Sequence, residues 1–259
     1  MKWLRYVSLT VLFIYLAVPL LGTALYAFST NWSNTVLPEG LTFKWVFKLF
    51  QNEAFLMAFG RSVFLSAAAV VISLLLVVPA ICIIVLYFPK YEKWIKSVIV
   101  MIYSFPGIIL SVGLLKFYAP TFVPLVAVVV GVYCVIILPY LYQGTKNSLM
   151  TINARQLMDA AELLGAGKLH AFKKVLLPSI YPGLLVATLL SFSILFGEFV
   201  LINLIVGSKF KTLQIFLVEQ LKTSGHIASA VVLIYVLLMA VLTFSIMKLS
   251  ARTKGASAK

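Results

Sequence analysis

Long apolar stretches without a charged side chain constrain this sequence more than any other feature. The segment 62–88 is the clearest, because none of its residues is charged and most are aliphatic. A helix needs about 20 apolar residues to cross a hydrocarbon layer roughly 30 Å thick. The whole chain is 63% hydrophobic and 11% charged, whereas soluble domains are about 45–50% apolar and about 25% charged. The sequence therefore predicts an all-α protein that crosses a membrane several times.

Six segments of the sequence are long and apolar enough to be membrane spans. Pro79 and Pro139 predict kinks in the second and fourth spans, and the turn-forming sequence 104–107 interrupts the third. The basic residues after the last span predict an irregular tail. We expect one transmembrane domain over residues 1–259, with spans at about 6–28, 62–88, 97–117, 121–142, 180–205 and 227–249.

The distribution of basic residues predicts the orientation of these spans. The formal net charge is +14, which in a soluble protein would suggest a nucleic-acid partner. In a membrane protein, lysine and arginine instead concentrate in the cytoplasmic loops. With six spans, fourteen of the 21 lysines and arginines fall on the side of the two termini, and seven fall on the opposite side. We therefore expect cytoplasmic N- and C-termini, contact with the lipid bilayer and no nucleic-acid partner.

The longest polar interruption between spans, residues 159–178, lies on the predicted cytoplasmic side. Residues 153–164, which overlap the start of this interruption, are rich in helix formers. Asn153 is a candidate N-cap for the helix that they form. Gly165 and Gly167 are expected to end the helix by adopting positive φ angles. A second short helix then follows, and Pro178 is expected to stop it before the membrane. The whole loop covers about 150–178.

An apolar stripe runs along the first helix of this loop. Its members recur at intervals of three and four residues and are Leu157, Ala160, Ala161 and Leu164. The small alanine side chains would let another backbone approach closely, which favours docking of another protein. The same pattern is equally typical of an amphipathic helix lying on the inner leaflet. The residues alone leave both interpretations open.

The sequence Gly165-Ala-Gly-Lys168 is similar to the end of a phosphate-binding loop but does not fit that motif. The first glycine would have to lie at position 162, which is glutamate, and Lys168 is followed by leucine instead of serine or threonine. We therefore expect no nucleotide site of that type and no resident cofactor in this chain. Cys82 and Cys134 both lie in apolar runs, so we expect neither a disulfide nor a metal site.

Glu198 is the only acidic residue within a predicted span. A carboxylate at membrane depth is unfavourable by roughly 2.5–3.5 kcal/mol, so this side chain should face protein or water. It could line a pathway and contact a cationic solute, or it could bond to a neighbouring helix, for example through Arg61. Asn203 has the same two interpretations. The spans contain no histidine and no evident internal repeat, which disfavours an intramembrane enzyme and a self-contained secondary carrier.

The spacing within the polar loop resembles the motif of a known family. Asp159-Ala-Ala is followed after three residues by Gly165, and after nine more by Val175-Leu-Leu-Pro178. The EAA loop of ABC importer permeases has Glu-Ala-Ala, three residues, Gly, nine residues and then Ile-x-Leu-Pro. This sequence differs from that pattern by Asp for Glu and by Val for Ile. The resemblance extends from the first span to the sixth and includes the segment 37–55.

This resemblance implies the type I ABC importer permease fold, with six transmembrane helices and a cytoplasmic coupling helix. It also implies a protein of the bacterial inner membrane that is not an enzyme, because ATP and Mg²⁺ bind a separate ATPase subunit. The implied assembly contains two ATPase copies, a second permease that is a different homologous chain, and an extracytoplasmic substrate-binding protein. The implied coupling residues are Asp159, Ala160, Ala161, Glu162, Gly165, Leu177 and Pro178.

Within that family, the chain is most similar to the second permease of the group that imports polyamines, ferric iron and 2-aminoethylphosphonate. The resemblance implies a small polar solute such as spermidine or putrescine, with 2-aminoethylphosphonate or ferric iron as alternatives. The residues themselves leave the charge of the solute open. Glu198 would suit a cation, whereas the basic loop 207–226 would suit an anion or an acidic docking protein.

Overall fold

The computed structural model describes residues 2–32, 35 and 37–256. A π-helical turn, Phe172–Leu176, joins two of its helices. Over this part of the chain the regular elements are helical, apart from one isolated antiparallel bridge between Ser29 and Leu41. The α-helices are α1 (Lys2–Phe28), α2 (Lys44–Phe50), α3 (Glu53–Tyr87), α4 (Glu92–Ser104), α5 (Gly107–Tyr118), α6 (Leu125–Thr151), α7 (Ala154–Leu163), α8 (Lys168–Ala171), α9 (Leu177–Phe196), α10 (Val200–Ile205), α11 (Leu213–Leu221) and α12 (Gly225–Ala256).

Five helical segments in the described residues are long and apolar enough to cross a membrane on their own. Two more helical segments, Pro89–Ser104 and Gly107–Tyr118, meet at an angle of 90° and are long and apolar enough to count as a sixth span when taken together. The prediction of an all-α membrane protein with six spans is confirmed, with this broken pair as the third span. The five unbroken segments are Arg5–Phe28, Glu53–Tyr87, Leu125–Thr151, Lys168–Phe196 and Gly225–Ser245.

The break in the third span follows from Pro106. Proline has no N–H to donate, and its ring disfavours a helical conformation at the residue before it. Phe105 is accordingly extended, with φ −85° and ψ 119°. Pro106 is extended as well, and a new helix starts at Gly107. The expectation of a single span over 97–117 is therefore corrected to two helices, whereas Pro79 and Pro139 lie inside continuous helices.

Several helix ends differ from their predicted positions. The second span begins at Glu53 instead of residue 62, because the Asn52 side-chain oxygen accepts the N–H groups of Ala54 and Phe55 at 2.9 and 3.2 Å. The fifth span is interrupted between α9 and α10. The last helix continues to Ala256, so the predicted irregular tail is helical up to that residue. The remaining tail residues, 257–259, lie outside the described part of the chain.

The chain divides into two compact units, and the first consists of Met1–Phe59 and Thr212–Ala240. Its centre is a stack of three rings. The His226 ring lies between Tyr26 and Trp45, with centroid distances of 4.3 and 4.9 Å. Trp45 also donates its indole N–H to the Ser29 carbonyl at 2.9 Å. These contacts attach α2 to the end of α1 and the start of α12.

The second unit consists of Gly60–Lys211 and Val241–Lys259, and α6 packs closely against α9 within it. Two glycines allow this approach. A Cβ atom on Gly144 would overlap Ala187, and one on Gly183 would overlap Ser148. Small residues at such positions let helix backbones come together in a membrane, where van der Waals packing holds helices side by side. This unit contains both the predicted coupling loop and Glu198.

Candidate functional site

The polar loop begins with α7, whose two ends are set by local backbone geometry. Asn153 occupies the N-cap position, but it has a left-handed conformation with φ 48° and its side chain makes no capping hydrogen bond. At the other end Gly165 has φ 86°, as predicted, and Ala166 N–H donates to the Ala161 carbonyl at 3.0 Å. This is the Schellman arrangement. Gly167 has φ −65°, so the prediction of a positive φ is wrong for that residue.

One face of α7 is buried against the chain itself. Ala154, Met158 and Ala161 occupy this face, at spacings of four and three residues. Around them lie the ends of α3, α6 and α9 together with the residues that join α7 to α9. The buried neighbours are Cys82, Leu86, Leu149, Ala171, Leu176 and Ile180. Ala161, one of the proposed coupling residues, therefore packs inward and fixes the helix to its own subunit.

The opposite face of α7 is exposed. Asp159, Ala160 and Glu162 lie on it, and Leu163 and Leu164 at its end are each 89% exposed. The predicted apolar stripe is thus divided between an inner face and an outer face. Beside Asp159 lies a groove of about 400 Å³, lined on the α7 side by Asn153, Ala154, Arg155 and Gln156 and on the other side by Val85, Leu86, Leu149 and Met150.

The loop does not end at Pro178. Helical structure continues from Lys168 to Phe196, with the π-helical turn in between. At that turn Leu177 N–H donates to the Phe172 carbonyl five residues earlier. The wider turn shifts the hydrogen-bond register just before a residue that has no N–H. The prediction of a helix stop at Pro178 is wrong, and both Leu177 and Pro178 lie at the start of a membrane-spanning helix.

Glu198 lies in the break between α9 and α10 and makes three hydrogen bonds. Its Oε1 accepts Leu201 N–H at 2.9 Å, and its Oε2 accepts Ile202 N–H at 3.2 Å. The Tyr133 hydroxyl, from α6, donates to Oε2 at 3.3 Å. Glu198 thus satisfies the first N–H groups of α10 and connects this short helix to α6.

Two other polar residues near this break, Asn203 and Arg61, have different surroundings from Glu198. Asn203 is exposed on α10, and the donors to Glu198 are Tyr133, Leu201 and Ile202. The Arg61 guanidinium lies over the Phe210 ring, 4.8 Å from its centre. The structure therefore gives Glu198 a structural partner in Tyr133, which sequence reasoning did not find. Tyr133 is 65 positions away and lies inside an apolar span, where periodicity gives no signal for such a pair.

A groove of about 630 Å³ between α4, α6 and α9 was also missed from the sequence. Its polar lining comes from Lys96, Tyr103, Tyr140, Tyr142, Gln143 and Asn147. The Gln143 amide N–H donates to the Asn147 side-chain oxygen at 2.9 Å, one turn apart on α6. The predicted fourth span ends at 142, before both amides, but the helix continues to Thr151. The pair of amides at helical spacing was the available signal.

An ionic network lies at one end of this groove. The Glu92 carboxylate lies at the start of α4 and accepts two hydrogen bonds from α6. One comes from the Lys146 ammonium, and the other comes from the Tyr142 hydroxyl at 2.9 Å. Lys96 is 3.1 Å from the same carboxylate oxygen. Two ammonium groups thus share one carboxylate. Among the described residues no cluster of three or more His, Cys, Asp or Glu side chains could hold a metal ion.

Comparison with known proteins identifies relatives of this chain. It is 23% identical over 229 residues to the spermidine/putrescine transport system permease protein PotC of Haemophilus influenzae, which covers 85% of this chain and 86% of the relative. It is 21% identical to PotC of Escherichia coli, covering 98% and 97%. It is 25% identical over 178 residues to the Fe(3+)-transport system permease protein FbpB 2 of H. influenzae. That match covers 68% of this chain and only 35% of the longer relative.

Two solved structures share the fold. A bacterial ABC transporter involved in the import of the acidic polysaccharide alginate superimposes with a TM-score of 0.72 over 95% of both chains, at 16% identity. The MetNI methionine ABC transporter, in inward-facing conformations, gives a TM-score of 0.58 over 78% of this chain and 98% of that chain, at 20% identity. The predicted type I ABC importer permease fold is therefore confirmed.

The family assignment follows from a match that covers most of the second unit and both candidate regions. The family described as "Binding-protein-dependent transport system inner membrane component" matches residues 79–254. This range includes the polar loop, Glu198 and the groove between α4, α6 and α9. The family consists of transport components and not of enzymes. The chain therefore belongs to the inner-membrane permeases of binding-protein-dependent ABC importers.

Proposed function

We propose that this chain forms half of the translocation pathway of an ATP-driven importer and receives the force of ATP hydrolysis through α7. The observation that carries the proposal is that one face of α7 is buried and the opposite face is exposed. Ala154, Met158 and Ala161 fix one face to the permease, and the other face ends in two leucines that are each 89% exposed. A helix attached in this way can transmit a push from a partner on its outer face to the spans behind it.

Water is an unfavourable environment for the pair Leu163 and Leu164. Full burial of a leucine side chain is favourable by roughly 1.5–3 kcal/mol, so adjacent exposed leucines favour a covering partner. As an importer permease, this chain works with an ATPase and a substrate-binding protein. The ATPase is the proposed occupant, and its contact residues would be Asp159, Ala160, Glu162 and Gly165, together with the two leucines.

The rest of the proposed assembly follows the family resemblance and the charge distribution. Two ATPase subunits hold ATP and Mg²⁺, a second, homologous permease chain completes the pathway, and a substrate-binding protein delivers the solute from outside. The excess of basic residues near both termini and in the polar loop supports cytoplasmic N- and C-termini. The inner-membrane family supports the same placement of the chain in the bacterial envelope.

The relatives suggest the first substrates to test. Their names specify spermidine and putrescine for PotC and ferric iron for FbpB 2. We propose a small polar solute, with polyamines as the first candidates, and with ferric iron and 2-aminoethylphosphonate as alternatives. A secondary carrier or an intramembrane enzyme is a remote alternative, because the family match covers the polar loop and four of the six spans.

The docking of the ATPase is tested by changing Leu163 and Leu164 together to Gln in the purified importer. Loss of two apolar contacts should weaken binding of the ATPase by roughly 3–6 kcal/mol, so that little of it copurifies with the permease. Copurification and ATP hydrolysis stimulated by the substrate-binding protein are the measurements. Leu221→Gln is the matched control, because Leu221 is also an exposed leucine, 63% accessible, on α11. Normal copurification of the ATPase with the double variant would refute the docking assignment.

A further inference from the structure

The groove between α4, α6 and α9 has more positive than negative charge at one end. We infer that the groove between α4, α6 and α9 belongs to this chain's half of the pathway, that it favours a solute with an oxyanion group, such as a phosphonate, phosphate or carboxylate, over a polycation, and that Lys96 meets that group. The inference rests on the proposed function and narrows it, because it places 2-aminoethylphosphonate ahead of the polyamines that the names of the relatives suggest.

The groove has the size and composition of a site for a small solute. Its volume of about 630 Å³ is within the range of roughly 300–1,000 Å³ that is typical of small-molecule sites. Ile99, Val186 and Leu190 contribute apolar walls, and two amides and three tyrosines contribute neutral polar groups. Lys96 is the only charged residue among the described residues that line it. A solute in this groove therefore meets one ammonium group and no carboxylate.

The nearest carboxylate to the groove is already occupied. Glu92 accepts hydrogen bonds from Lys146 and Tyr142, and it also pairs with Lys96. One negative charge is thus shared by two positive charges, which leaves a net positive charge at this end of the groove. Lys96 retains 56% of its side-chain exposure, so its ammonium group can also donate to a solute.

Glu198, the carboxylate that a cationic solute would need inside the spans, is also occupied. Its two oxygens accept the N–H groups of Leu201 and Ile202 and the hydroxyl of Tyr133. A cation that took over this carboxylate would compete with the bonds that begin α10. Glu198 therefore supports α10 in this structure, and an amine would have to share its two oxygens with these three donors.

The remaining acidic residues of the second unit lie outside the spans. Between positions 60 and 211, all of which are described, the four acidic residues are Glu92, Asp159, Glu162 and Glu198. Two of them are on α7, and the other two are the occupied carboxylates. The same stretch carries twelve lysines and arginines. The rings of Tyr103 and Tyr140 line the same groove as Lys96, so a cation on either ring would face a like charge.

The local charge can be measured directly with thiol reagents of opposite sign. Val100 lines the groove, is 65% exposed and lies one helical turn after Lys96. The intact importer would carry Val100→Cys, with Cys82 and Cys134 replaced by Ala. It would be treated with two methanethiosulfonate reagents, the negatively charged sulfonatoethyl and the positively charged trimethylammonioethyl compound. The quantity of interest is the ratio of the two rate constants, with and without Lys96→Gln.

We expect Lys96→Gln to lower the ratio of the anionic to the cationic rate constant about 10-fold. A unit charge roughly 6 Å from the thiol changes the rate constant for each reagent about threefold, in opposite directions. Lys93→Gln is the matched control, since Lys93 is an exposed lysine of the same helix that does not line the groove, and it should leave the ratio unchanged. An unchanged ratio in Lys96→Gln, or no reaction of the introduced thiol with either reagent, would overturn the inference.

Transport provides the second arm of the test. Uptake of labelled 2-aminoethylphosphonate is measured in proteoliposomes that contain the importer and its binding protein. A fall in uptake of at least about fivefold in Lys96→Gln would support the inference. ATP-driven uptake of labelled spermidine would overturn it and leave the proposed function intact. Labelling of the groove needs neither ATP nor the ATPase. Failure of α7 to bind the ATPase would therefore refute the proposed function without altering the charge measurement.

Discussion

The exposed face of α7 and the break at Glu198 are both polar interruptions of an apolar chain, but their polar groups have different surroundings. Asp159 and Glu162 on α7 point outward, beside two exposed leucines. Glu198 is half-buried, and both of its oxygens accept hydrogen bonds from its own subunit. A partner or solute that binds Glu198 therefore has to share it with three donors from the fold, whereas the carboxylates on α7 are exposed to a partner.

The largest expected effect in this comparison comes from removing the carboxylate of Glu198. Glu198→Leu should destabilise the permease by about 3–5 kcal/mol, because it leaves two N–H groups of α10 and the Tyr133 hydroxyl without an acceptor. Asp159→Leu should change stability by less than about 0.5 kcal/mol, because Asp159 is exposed. Thermal unfolding of the two variants in detergent is the measurement. Equal stabilities would mean that the contrast between the two regions is wrong.

The next effect concerns the end of α7 and separates coupling from stability. Gly165→Val places a β-branched residue at φ 86°, which is unfavourable by roughly 1–2 kcal/mol and should turn Leu163 and Leu164 away from the ATPase. We expect ATP hydrolysis stimulated by the binding protein to fall severalfold. Gly167→Val is the matched control, because Gly167 has an extended backbone and open space where a Cβ would lie. If both variants hydrolyse ATP normally, the conformation of Gly165 has no role in coupling.

The smallest effect tests how firmly Glu198 is held. Tyr133→Phe removes a single hydrogen bond of 3.3 Å from α6 and leaves the two N–H bonds of α10 in place. The expected loss of stability is about 0.5–1.5 kcal/mol, which is well below that of Glu198→Leu. Melting temperatures of the two single variants and the double variant would give the coupling energy between these side chains. Additive effects of the two changes would show that the hydroxyl and the carboxylate do not interact.

Much of the fold could be predicted from the sequence, because a membrane span is defined by length and composition. Runs such as 62–88 are recognisable without knowledge of their neighbours. The path of the third span was harder to predict. Pro106 indicated an interruption, but the 90° angle depends on how the two helices then pack. The extension of α6 to Thr151 was missed because polar residues such as Gln143 look like a loop when the hydrogen bonds around them are unknown.

The candidate site could be predicted only where its signal is local. The motif of α7 is a matter of spacing along the chain, and the positive φ of Gly165 follows from its position after a helix. By contrast, the partners of Glu198 and Glu92 depend on distant residues. Tyr133 and Lys146 lie 65 and 54 positions away from them. No periodicity in one sequence specifies such pairs, so the roles of these carboxylates required the three-dimensional structure.

The helix that runs from Lys168 to Phe196 also has a mechanical consequence. At about 1.5 Å per residue, its 29 residues form a rod roughly 44 Å long. The overlap that side chains at Gly144 and Gly183 would create shows that α6 lies directly alongside this rod. Packed this closely, the two helices would move together if α7 were pushed, with the π-helical turn near their loop end. A tilt of about 5° at that end displaces the far end, beside Glu198, by about 4 Å.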